Sequence, residues 1–158
     1  MPETESPLFR RAVVALNGGP SDARIVRLAA DYASRAKGVL IAVHVVEIDW
    51  TLPLDADIAG RSDEVQRVLD SAEAITETFK VKLEPVLLQA RDVGAAIVDE
   101  ATERGADLLV TGLPYRKRFG GEFAIGRTIP YILQNAPCAV WVVREPMPEE
   151  RTTPEVRT

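Results

Sequence analysis

The chain has 158 residues, 46% of them hydrophobic and 27% charged, with a net charge of −5. That length and balance describe one globular domain able to bury a core, and they exclude a disordered chain. The acidic excess argues against nucleic acid as a partner, and no apolar run approaches the roughly 20 residues of a membrane span. The amino terminus, MPETESPLFRR, is acidic and polar where a secretory signal is basic and then apolar. A single cysteine, Cys138, cannot form an internal disulfide. The expectation is a cytoplasmic protein without membrane insertion.

Residues 1–9 read as a disordered lead, 10–144 as the domain and 145–158 as a disordered, proline-rich tail. Ala12–Leu16 (AVVAL) is a continuous apolar run, the mark of a strand buried on both faces. Asn17-Gly18-Gly19-Pro20 breaks it, and Ser21 or Asp22 can cap the helix that follows. Val26, Ala29, Ala30 and Ala33 share one face of that helix, and Lys37-Gly38 ends it. Val39–Val46 is a second buried strand; the turn-rich, acidic stretch after it, 47–61, fits no element. A second helix runs from about Ser62 to Phe79, with Val65, Val68, Leu69, Ala72 and Ile75 inward and charges on the opposite face.

Val81–Gln89 is the third strand, and its Pro85, unable to donate to one neighbour, favours a sheet edge. Arg91-Asp92 opens a third helix that Gly105 stops. The fourth strand spans Asp107 to Thr111, the fourth helix carries Ile129, Ile132 and Leu133, and the last strand spans Cys138 to Val143. Pro130 falls in the first turn of the fourth helix, where a missing N–H is tolerated. Strands alternating with helices, without hairpin signals, make βαβ units. The fold predicted is a flavodoxin/Rossmann-like doubly wound α/β domain, a five-stranded parallel sheet in the order 3-2-1-4-5 with helices on both faces.

In that order the first and fourth strands adjoin at the switch point, outside whose carboxyl ends ligands bind. The two loops meeting there are Asn17–Pro20 and Gly112–Gly126. The second is basic, with Arg116, Lys117 and Arg118, contains Gly120-Gly121, and leads into a helix amino terminus. Loop amides and a helix amino terminus together attract an anion.

Four stretches resemble the universal stress protein family over residues 10–144. They are AVVALNGGPSD, VLIAVHVVE, ADLLVTG and, most specifically, GRTIPYILQNAPCAVWVV. The resemblance implies a flavodoxin-like domain, commonly dimeric, in a family with one branch that binds ATP or AMP. That branch has an acidic residue after the first strand and a phosphate loop of the form G-x-x-G, nine residues, then G-[ST]. Here the acidic position is Asn17, and Val45 stands where the family's second strand touches adenine through its backbone. Gly112 and Gly126 match the first and third loop glycines. Tyr115 replaces the second glycine, ten residues separate it from Gly126, and Arg127 takes the hydroxyl position with Thr128 one step later.

Two readings of this altered loop stay open. Tyr115 crowds the phosphate path and leaves a surface loop, or Arg116, Lys117, Arg118, Arg127 and Thr128 rebuild an anion site. The expected ligand is ATP or another adenine nucleotide, with or without magnesium. Asn17, Gly18 and Val45 would hold the nucleoside end, and Gly112, Arg116, Gly126, Arg127 and Thr128 the phosphates. The rival is a non-nucleotide interaction module that dimerises or docks on a transporter or kinase.

Other residues carry weaker signals. His44, alone in the chain, reads as a satisfied strand histidine, and Cys138 as inert packing. Trp141 is either core or part of a homodimer edge formed by the last strand, Cys138 to Val143. Trp50 follows the second strand, where an adenine could stack. No G-x-S-x-G, Walker loop or metal-spaced His/Cys set appears, so no dedicated enzyme is expected, with slow ATP hydrolysis left open.

Overall fold

Each apolar run of the sequence becomes a parallel strand, and each helix-period stretch a crossover. In the computed structural model, residues 8–51, 53, 62–117, 120–121 and 123–148 are described. The elements are β1 (Arg11–Leu16), α1 (Ser21–Ala36), β2 (Val39–Glu47), α2 (Ser62–Thr78) and β3 (Leu83–Ala90). They continue with α3 (Val93–Glu103), β4 (Leu108–Leu113), α4 (Thr128–Asn135) and β5 (Ala139–Arg144). The strands form one parallel sheet in the order β3-β2-β1-β4-β5, as predicted. No helix of the described residues is long and apolar enough to cross a membrane.

The alternation of β1 splits the core. Ala12, Val14 and Leu16 pack with Ile25, Ala29 and Leu69 of α1 and α2, while Val13 and Ala15 pack with Ile97 and Ile132 of α3 and α4. Both faces of the central strands are therefore covered, which is why they read as unbroken apolar runs. Each fully buried Ile, Leu or Val contributes about 1.5–3 kcal/mol. Pro85 lies in β3 at a sheet edge, where its missing N–H costs least. Asp92 caps α3 by accepting from the Ala95 N–H at 3.1 Å. Lys37 ends α1 in the left-handed region at φ 57°, a place more often taken by glycine.

The structure corrects the sequence reading in three places. β4 runs on to Leu113, because its ladder with β5 continues through Gly112↔Val143 and Leu113↔Arg144. Gly112 is thus a strand residue and not the start of a loop. Neither Ser21 nor Asp22 caps α1: Pro20 is the N-cap residue without a side-chain bond, and Asp22 turns back to the preceding loop. Phe9, placed in the lead by sequence, is 1% exposed and packs edge-on against Trp141 at 6.4 Å. Trp141 also meets Tyr32 at 5.2 Å, so its ring belongs to the α1 side of the core. Residues 1–7 of the expected lead, 149–158 of the expected tail, and Arg118 lie outside the described residues.

Candidate functional site

The turn from β1 into α1 is held by its own side chains. Asn17 Oδ1 accepts from the Gly19 N–H at 2.7 Å, an Asx turn. Asp22 reaches back one turn: its Oδ1 accepts from the Asn17 N–H at 3.1 Å and its Oδ2 from the Gly18 N–H at 2.8 Å. Gly18 sits at φ +83°, a conformation that favours glycine. Burial pushes the Asp22 carboxyl above its ordinary pKa, opposed by the two N–H bonds and the nearby His44. His44 is buried with Nδ1 3.1 Å from the Leu16 carbonyl. A carbonyl only accepts, so this nitrogen carries the proton.

Beside this turn lies a cleft of about 780 Å³. One wall is Asn17–Pro20 with Asp22, the floor is His44–Glu47 at the carboxyl end of β2, and the opposite wall is the inner face of α2, with Glu64, Arg67, Val68 and Ser71. α2 comes close: a Cβ on Gly18 would stand 3.5 Å from Val68 Cγ2. Among the described residues, three carboxylates, Asp22, Glu47 and Glu64, share the cleft with one guanidinium, that of Arg67. Among the described residues Arg67 has no ion-pair partner.

The second predicted loop is built differently. Gly112 faces α1, and a Cβ on it would lie 2.7 Å from Ser21 Cβ, so the first turn of α1 closes the crevice between β1 and β4 on that side. Tyr115 does not stand free: its ring lies 5.3 Å from Phe123 and 5.0 Å from the Arg144 guanidinium. A bridge between Lys117 and Phe123 and a bond from the Ala124 N–H to the Arg116 carbonyl at 2.8 Å fold the segment back on itself. Gly126, at φ +76°, turns the chain into Arg127, the N-cap residue of α4, whose side chain makes no capping bond.

Of the residues singled out from sequence, Asn17, Gly18 and Val45 meet in the cleft. Gly112, Arg116, Gly126, Arg127 and Thr128 do not line it. Trp50 does not line it either; it is 78% exposed, with the Arg91 guanidinium 5.1 Å from its ring. Sequence reasoning missed Asp22, Glu64, Arg67 and Ser71 as cleft residues. The spacing 64, 67, 71 marks one helical stripe, but a charged stripe is assigned by default to solvent.

The model of the universal stress protein family matches residues 8–144. The sensor protein KdpD of Mycobacterium tuberculosis is 33% identical over 116 residues, 73% of this chain, and the chain spans 12% of that protein's length. A universal stress protein from Archaeoglobus fulgidus superposes with a TM-score of 0.70 at 23% identity, over 86% of this chain and 99% of that one. An Archaeoglobus fulgidus universal stress protein in complex with dAMP gives 0.67 at 22% identity, covering 86% and 98%. An Arabidopsis thaliana family member with AMP bound gives 0.64 at 16% identity, covering 92% and 99%. With its sheet order and all of 8–144 matched, the chain belongs to the universal stress protein family.

Proposed function

We propose that this domain is a cytoplasmic regulatory receptor for an adenine nucleotide, acting by binding rather than by turnover. The observation that carries the reading is the cleft where Asn17, Gly18 and Val45 converge with α2 at the carboxyl end of β2. Its volume of about 780 Å³ falls within the roughly 300–1,000 Å³ usual for small-molecule sites. Relatives of the same fold hold AMP or dAMP, which supports the ligand class.

In this reading the base lies against the β2 backbone at Val45, and the Glu47 and Glu64 carboxylates accept from ribose hydroxyls. For the phosphates the chain offers two sources of positive charge. One is the loop that resembles the family's motif, with Gly112, Arg116, Gly126, Arg127 and Thr128, where a magnesium ion would also ride. The other is Arg67 on α2.

The test is a thermal-shift series on ligand-free protein with ATP, ADP, AMP, cyclic AMP and cyclic di-AMP, with and without magnesium. A ligand at about 100 times its dissociation constant stabilises by about 2.7 kcal/mol, a shift of several degrees. A flat response to all five would remove the nucleotide reading.

A second reading is favoured by one observation: among the described residues nothing pairs with the outer edge of β5, and the Tyr115–Phe123–Arg144 cluster fills the loop beside it. It makes the domain a docking module that forms a homodimer through β5 or sits on a transporter or kinase, and a sensor protein, KdpD, is among the chain's relatives.

A further inference from the structure

We infer that Arg67 of α2, rather than the segment after β4, is the phosphate-binding residue of the cleft, and that the cleft takes a nucleoside bearing a single phosphate group. The inference rests on the nucleotide reading above and names the ligand class more narrowly.

Three observations lead to it. First, several of the groups that a phosphate could use at the switch point are already engaged. The amides of Asn17 and Gly18 donate to Asp22, and that of Gly19 donates to Asn17 Oδ1, so the β1–α1 turn has none of these three to offer. Gly112 is spent on the close approach of Ser21. Tyr115, in place of a loop glycine, is packed against Phe123 and Arg144.

Second, Arg67 lines the cleft and has no ion-pair partner among the described residues. It sits beside Val68, whose Cγ2 a Cβ on Gly18 would meet at 3.5 Å, so the turn of α2 that carries Arg67 faces the 17–20 turn. Glu64, three residues earlier on the same helix, makes no ion pair with it among the described residues. Ser71, four residues later, lines the same wall and adds a hydroxyl donor. A guanidinium can grip a phosphate with two parallel N–H bonds.

Third, the charge of the cleft limits how much anion it accepts. One phosphate is met by Arg67. Each additional phosphate brings negative charge toward Asp22, Glu47 and Glu64, and among the described residues no further Lys or Arg lines the cleft to offset it.

The experiment is calorimetric titration of ligand-free full chain with adenosine, AMP and ATP, repeated on Arg67→Ala, Arg67→Lys and Arg127→Ala. A charged hydrogen-bonded contact is worth about tenfold or more in affinity, so AMP is expected to bind at least about tenfold tighter than adenosine, and ATP no tighter than AMP. Arg67→Ala should erase the AMP advantage while leaving adenosine affinity within about twofold, and Arg67→Lys should keep part of it. Arg67 is exposed, so a melting temperature within a few degrees of the parent shows that the fold is intact. An AMP advantage that survives Arg67→Ala and disappears in Arg127→Ala overturns the inference but spares the nucleotide reading. So does ATP binding tighter than AMP, or AMP binding no tighter than adenosine. Failure of all three ligands overturns both.

Discussion

Ser21 and Gly112 are packed so closely that a Cβ on the glycine would stand 2.7 Å from the serine Cβ. That contact seats the first turn of α1 on β4 and closes the crevice at the switch point on this face. The open space is therefore displaced by one strand, to the groove between β1, β2 and α2. Gly112→Ala should destabilise the domain by about 1–3 kcal/mol, since neither Cβ is the end of a flexible chain that can swing aside. The usual gain of alanine over glycine in a strand, about 0.5–1 kcal/mol, works in the opposite direction and is the smaller effect. Urea unfolding of Gly112→Ala, Ser21→Gly and the double variant checks this. The double variant should recover part of the loss, and strict additivity would mean that the contact is not the cause.

Asp22 gives the domain a pH signature. Burial raises its carboxyl pKa above 3.8, its value when unfolded, so the folded state binds this proton more tightly. Its contribution to stability is then fully present below 3.8 and falls as pH rises through the raised folded value. The stability of the parent minus that of Asp22→Asn should decline across that window and level off above it. Urea unfolding of both proteins at a series of pH values reads this difference. A difference that rises with pH would show that the bonds from Asn17 and Gly18 outweigh burial.

Tyr115 holds the segment after β4 by its ring. An aromatic pair is worth about 0.5–1.5 kcal/mol beyond its area, and a cation over an exposed ring about 0.5–1 kcal/mol. Tyr115→Ala should therefore lose about 1–2 kcal/mol of stability. Because Tyr115 does not line the cleft, adenosine affinity should hold. Calorimetry on the same preparation tests the second half, and a large drop in adenosine affinity would place the segment over the ligand.

The β5 edge predicts assembly. AVWVVR is largely apolar, pairs with β4 on one side, and among the described residues has no neighbour on the other. Light scattering is expected to give twice the chain mass of 17.3 kDa. Val142→Glu, which sets like charges face to face across a paired edge, should shift the population to monomer. A monomeric parent at micromolar concentration would remove the dimer.

What the sequence determined by itself is whatever depends on near neighbours along the chain. The apolar runs at 12–16, 39–46 and 108–111, alternating with helix-period stretches, dictate a parallel sheet and leave few topologies. Pro85 marked an edge because its missing N–H is a property of the residue itself, and Arg91-Asp92 marked a helix start because capping joins residues only a few positions apart. What the tertiary structure decided depends on segments distant in sequence. Phe9 looks like part of a polar lead, since a lone aromatic carries no period, yet Trp141 makes it core. Gly112 reads as a loop glycine until Ser21 is seen against it. Arg67 reads as one more solvated charge on α2, and only the approach of Val68 to Gly18 puts it in a cleft with Asp22 and Val45. A pattern along the chain records which face of a helix is apolar, whereas a site is made by which faces meet, and that is settled by packing.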